Sequence, residues 1–135
     1  MIIGYTAGVF DLTHSGHINL LTNASKFCDR LIVGVNSDRL CEEYKHKRPL
    51  MSEQERLTCI KALPQVAMAF VTDERNKLEM WKRLKFNVVF VGDDWYNTED
   101  YNLYELELKE CNVKVVYLPY TKGISTTELR ERNGL

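Results

Sequence analysis

The chain has 135 residues, of which 44% are hydrophobic and 27% are charged. This size and composition are typical of one globular domain, and we expect a single domain spanning residues 1–135. Eighteen basic and 19 acidic residues leave a net charge of −1, which gives no reason to expect a nucleic-acid partner. No apolar run approaches the ~20 residues of a membrane span and no signal peptide is evident, so we expect a cytoplasmic protein without membrane contact.

Short apolar runs alternate with amphipathic stretches along the chain. The pattern predicts strands at residues 2–6, 31–35, 66–71, 88–91 and 113–118. Helices are predicted at residues 16–27, 52–62, 74–84, 100–110 and 125–132. Residues 42–49 are interpreted as a polar, basic stretch between the second strand and the second of these helices.

The alternation of strands and helices favours a parallel sheet with helices on both faces, and the apolar strands fit burial on both sides. We therefore predict an α/β, three-layer Rossmann-like fold with a five-stranded parallel sheet in the order 3-2-1-4-5. In such sheets, ligands bind at the carboxyl ends of the strands, where the strand order reverses. Candidate site residues are therefore sought just after the strands.

Two histidines, His14 and His17, lie where the first strand gives way to a helix. Residues three apart share a face at a helix start, so both imidazoles can point into the ligand crevice. The N–H groups of a helix start favour phosphate, and two imidazole donors there can hold a phosphate whose negative charge grows during transfer. Gly8 would let backbone approach a nucleotide closely, and Gly16 would keep the space between the histidines clear. From spacing alone, a metal half-site or a chance pair stays an alternative.

Other candidates follow the remaining strands. Lys45 and Lys47 belong to a charge run that is usually a solvated surface, but the run follows the second strand on the expected ligand side. Ser125 is predicted to cap the last helix, a position that can also offer N–H groups to phosphate. Asp93 and Asp94 follow the fourth strand and form either a turn or a pair of Mg²⁺ ligands.

Three blocks of the sequence resemble a known family. The segment His14-Ser15-Gly16-His17 matches the H-x-G-H signature of the nucleotidyltransferase superfamily. Gly123-Ile124-Ser125-Thr126-Thr127 matches a second signature, which is typical of cytidylyltransferases, and Gly92-Asp93-Asp94-Trp95 is similar to glycerol-3-phosphate cytidylyltransferase. The resemblance covers essentially the whole chain. It implies an enzyme that transfers CMP from CTP to a phosphorylated small alcohol, sugar or amino compound and releases pyrophosphate.

The resemblance also implies a role for each site residue. His14 and His17 would contact the triphosphate and stabilise the pentavalent transition state, and Lys45 and Lys47 would reach the phosphates from a mobile loop. The nucleotide would lie against Gly8, Val9, Phe10, Asp11, Gly16, Asp94, Trp95, Gly123, Ile124, Ser125 and Thr126. Substrate-binding roles fall to Arg56 and Lys122.

Partners and a metal follow from the same resemblance. CTP and a phosphorylated small-molecule acceptor are the expected substrates. We expect Mg²⁺ to arrive with the triphosphate and assign it no protein ligand, because Mg²⁺ often binds through substrate phosphates with few protein contacts. Relatives are usually homodimers, and we expect one here. Tyr96, Tyr101 and Tyr104 can stack on a base or pack on a dimer surface, and packing is the favoured interpretation.

The chain departs from the family pattern at two arginines. Tyr120 stands where the family has an arginine before the second signature, and Pro64 replaces the arginine of an R-Y-V-D-E-V motif. Lys122 compensates only in part for the arginine missing at Tyr120, because an ammonium is a point charge and cannot form the two parallel hydrogen bonds of a planar guanidinium. We therefore hypothesise an acceptor other than glycerol 3-phosphate, or a weakly active enzyme.

Two other functions stay open. The segments Val35-Asn36-Ser37-Asp38 and Arg48-Pro49 are similar to heptose-phosphate adenylyltransferases, so the chain can be an adenylyltransferase that uses ATP, of the sugar-phosphate or FMN type. The missing arginines also allow a non-catalytic nucleotide-binding module. The G-I-S-T-T and G-D-D-W blocks favour CTP, which makes the cytidylyltransferase the main prediction.

Overall fold

The structure is a computed structural model that describes residues 1–119. Its strands are β1 (Ile3–Gly8), β2 (Arg30–Asn36), β3 (Met68–Thr72), β4 (Val88–Gly92) and β5 (Lys114–Leu118). Its helices are α1 (Ser15–Ser25), α2 (Asp38–Lys45), α3 (Glu53–Lys61), α4 (Lys77–Leu84) and α5 (Glu99–Lys109), with a 3-10 turn at Asp93–Trp95. Within residues 1–119, no helix combines the length and the apolar character that crossing a membrane requires.

All strand pairs of the sheet are parallel, and their order is β3-β2-β1-β4-β5, which confirms the predicted fold. From β1 the chain passes to β2 and β3 on one side, then returns to β4 and β5 on the other. The connections that leave β1 and β4 therefore diverge and open a crevice between the carboxyl ends of these two strands.

Alternate residues of the strands face two separate cores. In β2, Leu31 and Val35 belong to the core under α1 and α3, whereas Ile32 belongs to the core under α4 and α5. The same alternation separates Phe90 from Val89 in β4. Full burial of each such side chain contributes roughly 1.5–3 kcal/mol, so covering both faces explains why the strands are apolar throughout.

One segment differs from the sequence prediction. Residues 38–45, which run into the predicted polar stretch, form helix α2. The Ser37 hydroxyl caps it by accepting a hydrogen bond from the N–H of Leu40 at 3.1 Å. Only Leu40 and Cys41 are buried in this eight-residue helix, so the apolar period is too short to be recognised in the sequence. The predicted helix at residues 125–132 lies outside the described part of the chain.

Candidate active site

A cavity of about 580 Å³ opens at the carboxyl ends of β1 and β4. We call it the main cavity, and its volume suits a small-molecule ligand. Its walls combine the loop after β1, the start of α1, the end of α2 and the turn after β4. The predicted site residues that line it are Gly8, Val9, Phe10, Asp11, His14, Gly16, His17, Lys45, Lys47, Asp94 and Trp95.

The two histidines form the N-terminal cap of α1. Nδ1 of His14 accepts a hydrogen bond from the N–H of Gly16 at 3.0 Å, and Nδ1 of His17 accepts one from the N–H of His14 at 3.2 Å. Serine and glutamate usually make this reciprocal cap, so two imidazoles here take over the roles of a hydroxyl and a carboxylate. The rings are stacked, with centroids 3.8 Å apart. The cap therefore holds both rings in one orientation.

This cap also determines where each imidazole carries its proton. Because each Nδ1 accepts a hydrogen bond, the proton of each neutral ring lies on Nε2. Burial lowers the pKa of His14, and burial followed by repulsion from His14 lowers the pKa of His17 to about 4, against an opposing effect of Asp11. Both rings are therefore neutral at pH 7 and line the cavity as N–H donors.

Gly8 and Phe10 support the second of these rings. A Cβ at Gly8 would lie 3.1 Å from the ring of Phe10, so glycine lets that ring pack closely against the end of β1. Phe10 in turn meets the His17 ring edge-on, with centroids 5.5 Å apart. The sequence analysis expected a nucleotide to approach Gly8 closely, and in the structure the ring of Phe10 lies close to this glycine.

The loop between β1 and α1 is held in an uncommon conformation. Phe10 and Leu12 have φ angles of 54° and 51°, in the left-handed region, which costs about 1–3 kcal/mol for each non-glycine residue. The carboxylate of Asp11 accepts hydrogen bonds from the N–H groups of Leu50 at 2.8 Å and Met51 at 3.0 Å. Asp11 thereby ties this loop, which forms part of the cavity wall, to the segment before α3.

Arg56 does not line the main cavity, and its predicted substrate-binding role is corrected. Its side chain is fully buried, and the guanidinium donates to the carboxylate of Asp38 at 2.6 Å. It also donates to the backbone carbonyls of Val9, Asn36 and Met51 at 2.9, 2.7 and 3.1 Å. Protein acceptors occupy the donors that a phosphate would need, so Arg56 holds the ends of β1 and β2 together.

Lys45 and Lys47 belong to the wall formed by the end of α2. Lys45 is the last residue of that helix, and His46 leaves it in a left-handed conformation with φ 55°. Both lysines are exposed, so their ammonium groups are solvated before a ligand binds. Lys45 thus projects from a helix end, where the family resemblance had implied a mobile loop. Two cations and two imidazole donors share one cavity, an arrangement that suits a polyphosphate.

The turn after β4 contributes the remaining described candidates. Asp94 is exposed, and Trp95 is half-buried with its ring 5.6 Å from that of Tyr101. Tyr101 is only 8% exposed and packs inside the chain, so its predicted place on a dimer surface is wrong. Tyr96, at 67% exposed, keeps a solvent-facing position.

Several predictions fall on residues 120–135, outside the described part of the chain. They concern Lys122, Gly123, Ile124, Ser125 and Thr126, whose roles stay predictions. Within residues 1–119, no three His, Cys, Asp or Glu side chains cluster closely enough to hold a metal ion. The protein ligand of a metal is therefore not assigned.

Two functional candidates were not selected from the sequence. Arg75 and Lys77 line a second, smaller cavity next to the main one. Their sequence signal is weak, because a pair of basic residues near a helix start is usually solvated surface. Their significance depends on burial, which only the folded chain reveals.

Comparison with known proteins agrees with this geometry. The model of the cytidylyltransferase-like family matches residues 5–132. The chain belongs to this family. The prediction that it is of nucleotidyltransferase type is thereby confirmed.

This cytidylyltransferase-like chain is also similar to curated bacterial proteins. It is 39% identical over 128 residues to the bifunctional protein HldE of Koribacter versatilis, covering 94% of this chain and 26% of that protein. It is 37% identical over 133 residues to HldE of Nitrobacter winogradskyi, covering 98% of this chain and 27% of that protein. The chain thus spans about a quarter of the length of the curated relatives it matches.

Solved structures show the same fold. A lipopolysaccharide core biosynthesis protein from Thermoplasma volcanium superimposes with a TM-score of 0.73 at 26% identity, covering 92% of this chain and 99% of that one. Pantoate-beta-alanine ligase from Francisella tularensis superimposes with a TM-score of 0.64, covering 98% and 69% of the two chains. At 16% identity, the second similarity shows the fold alone.

Proposed function

We propose that this domain is an adenylyltransferase that transfers AMP from ATP to a sugar phosphate and releases pyrophosphate. The observation that carries the proposal is the main cavity, in which two neutral imidazole donors and two lysines line the carboxyl ends of β1 and β4. A cavity with these groups suits the charge that develops on a phosphate during nucleotidyl transfer.

The relatives favour ATP and a sugar phosphate over the CTP and glycerol-phosphate-like acceptor of the main sequence prediction. None of the relatives named above is called a cytidylyltransferase, and one is a lipopolysaccharide core biosynthesis protein. A lipopolysaccharide core is built from sugars. The segments Val35–Asp38 and Arg48-Pro49 also resemble heptose-phosphate adenylyltransferases. The two missing family arginines agree with an acceptor other than glycerol 3-phosphate.

The proposed reaction needs no protein nucleophile. An oxygen of the acceptor phosphate attacks the α-phosphorus of ATP, and the bond from that phosphorus to the pyrophosphate oxygen breaks. A phosphate monoester dianion is already nucleophilic, so the protein supplies positioning and charge stabilisation. In this scheme, the Nε2–H groups of His14 and His17 donate to the transferring phosphate, and Lys45 and Lys47 neutralise the leaving pyrophosphate.

The proposal includes Mg²⁺, which would enter with the triphosphate. Most of its oxygen ligands would come from the phosphates and from water, as is common for Mg²⁺ at nucleotide sites. Asp94, an exposed carboxylate on the wall of the main cavity, would be a protein group able to complete the set. When bound, the ion would neutralise negative charge on the triphosphate.

Thermal shifts with ATP, CTP, GTP and UTP in the presence of Mg²⁺ test the nucleotide. A ligand present at 100 times its Kd adds about 2.7 kcal/mol of stability, so the preferred nucleotide raises the melting temperature most. We expect that nucleotide to be ATP. A shift with CTP alone would restore the cytidylyltransferase prediction.

Pyrophosphate release tests the acceptor. ATP is incubated with a panel of sugar phosphates, with glycerol 3-phosphate or with FMN, and we expect pyrophosphate with a sugar phosphate. Fast turnover of glycerol 3-phosphate would contradict the altered acceptor. Nucleotide binding without pyrophosphate release for any acceptor would favour the non-catalytic binding module.

A further inference from the structure

The two lysines of the main cavity belong to a short segment, residues 45–49, that we call the lysine segment. Lys45, Lys47 and Pro49 line the cavity, whereas Arg48 does not. Proline restricts the residue before it to an extended conformation, and successive side chains of an extended chain point to opposite sides. Arg48 therefore projects on the side of the segment opposite to its two neighbours.

On that outer side, Arg48 forms ion pairs with two carboxylates of α2. Its Nη1 lies 3.4 Å from Oε1 of Glu42, and its Nη2 lies 3.6 Å from Oδ2 of Asp38. The side chain of Asp38 is only 13% exposed, and the buried guanidinium of Arg56 lies 2.6 Å from its other oxygen. Arg48 thus joins the lysine segment to a carboxylate that the protein core keeps in place.

Backbone hydrogen bonds fix the chain on both sides of Lys47. Before it, the N–H of His46 donates to the carbonyl of Glu42 at 3.1 Å, which closes the end of α2. After it, the N–H groups of Leu50 and Met51 donate to the carboxylate of Asp11. Between these two points, the side chain of Arg48 ties the segment sideways to α2. The position of the Lys47 ammonium therefore depends on this tie.

Exposure limits what these ion pairs do for the fold. The side chain of Arg48 is 69% exposed, and exposed ion pairs contribute little to the free energy of unfolding. A local tie can still order a short segment, because it opposes only the motion of that segment and not global unfolding. A segment that is ordered in advance leaves less ordering for the binding step, which improves affinity.

We infer that Arg48 is a positioning residue that holds Lys45 and Lys47 toward the triphosphate. It acts through its ion pairs with Glu42 and Asp38. The inference rests on the proposed function, in which the two lysines neutralise the leaving pyrophosphate. Arg48 touches no substrate in this arrangement, and its effect reaches the phosphates through the ammonium groups beside it.

The test compares two ion pairs of α2 and its neighbouring segment. Arg48 and Glu42 form the pair under test, and Arg39 and Glu43, which do not line the main cavity, form the control. The four side chains are between 49% and 69% exposed, so the pairs are matched in solvation. Each residue is replaced by glutamine, and ATP and CTP are titrated by calorimetry in the presence of Mg²⁺. Both nucleotides carry the triphosphate, so the result does not depend on the base.

We expect Arg48→Gln and Glu42→Gln each to raise the nucleotide Kd about 3- to 10-fold, the size of one or two loosened exposed ion pairs. Arg39→Gln and Glu43→Gln should change it less than about twofold. The direction for Glu42→Gln separates positioning from charge alone. Removing a negative charge near a triphosphate strengthens binding if only charge matters, and weakens binding if the carboxylate holds Arg48. Unchanged or tighter binding by Glu42→Gln would overturn the inference.

A conservative variant and a double variant complete the test. The contacts of Arg48 reach two separate carboxylates and are not bidentate, so Arg48→Lys should return the Kd to within about twofold of the wild type. The double variant, Arg48→Gln with Glu42→Gln, should bind nucleotide no more weakly than Arg48→Gln alone, because both changes remove one ion pair. Effects that multiply, or an Arg48→Lys as weak as Arg48→Gln, would overturn the positioning role.

Two further measurements separate this role from folding and from the proposed reaction. Urea unfolding should give the same midpoint for Arg48→Gln as for the wild type, since the ion pairs are exposed. A lower midpoint in proportion to the weaker binding would overturn the inference and leave Arg48 a merely structural residue. Nucleotide binding that depends on Arg48 and Glu42, without pyrophosphate release for any acceptor, would overturn only the proposed reaction.

Discussion

The guanidinium of Arg56 lies 2.6 Å from the carboxylate of Asp38 and joins α3 to the start of α2. The arginine side chain is fully buried, and that of Asp38 is 13% exposed. Because the same guanidinium also donates to the carbonyl of Val9, just after β1, and to that of Asn36, the last residue of β2, one side chain fixes three segments around the main cavity. Arg56, which the sequence analysis predicted to bind substrate, therefore shapes the cavity in which substrate is proposed to bind.

Replacing Arg56 with methionine should strongly destabilise the fold. The change leaves the carboxylate of Asp38 and three backbone carbonyls without their donor, and breaking a buried pair typically costs about 3–5 kcal/mol. Urea unfolding measures the loss. Arg39→Met is the control, because Arg39 forms an exposed pair with Glu43 and should change stability by less than about 1 kcal/mol. Similar losses in both variants would contradict the structural role of Arg56.

The variants His14→Ser and His17→Gln should separate the helix cap from the chemistry. Serine and glutamine rebuild the capping box, so stability should stay within about 1 kcal/mol of the wild type. Each variant loses an Nε2–H donor, and kcat should fall at least ~10²-fold, the size typical of one electrostatic donor. Pyrophosphate release measures kcat, with exposed His46→Asn as the control. An unchanged kcat would remove both imidazoles from the reaction.

Neutralising Lys45 or Lys47 should weaken nucleotide binding. Loss of one charge-assisted hydrogen bond, at about 1.5–3 kcal/mol, raises the Kd for ATP at least about tenfold in Lys45→Gln or Lys47→Gln. Calorimetry measures that Kd, and the wild-type affinity should itself fall with added salt, because both lysines are exposed. Lys61→Gln, an exposed lysine on α3, serves as the matched control. An ATP Kd equal to that of this control would contradict the proposed role.

The histidine cap predicts a loss of stability in acid. The pKa of His17 is about 4 in the folded chain and 6.5 as the reference value, so between these values the unfolded chain binds a proton that the folded chain does not. The contribution of His17 is therefore complete above about pH 6.5. It should decline as the pH falls toward 4, by at most about 1.4 kcal/mol for each pH unit.

Urea unfolding at pH 7.5 and pH 5 checks this dependence. His17→Gln has no imidazole at that position and should lose less stability between the two pH values than the wild type. His46→Asn removes an exposed imidazole and keeps a residue that tolerates the left-handed conformation, so it should follow the wild type. A steep wild-type dependence that persists in His17→Gln would exclude His17 as its source.

The sequence by itself determined the sheet and the position of the histidine pair. Strands such as β2 are apolar on both faces, which is a local pattern that already requires helices on both sides. The H-x-G-H segment at residues 14–17 likewise marks the junction of β1 and α1, because a helix cap is formed by adjacent residues. Helix α2 was not predicted from the sequence, because it buries only Leu40 and Cys41 and so has no clear apolar period.

Only the tertiary structure decided which charged residues line a cavity and which are paired with other groups of the protein. Arg56 and Lys77 are both basic, buried and close to the start of a helix. Arg56 donates to acceptors of the protein, including the carbonyl of Val9, which is 47 residues away in the sequence. Lys77 lines a cavity instead. The role of a charge depends on which distant groups desolvate and neutralise it, and those groups become neighbours only when the sheet is assembled.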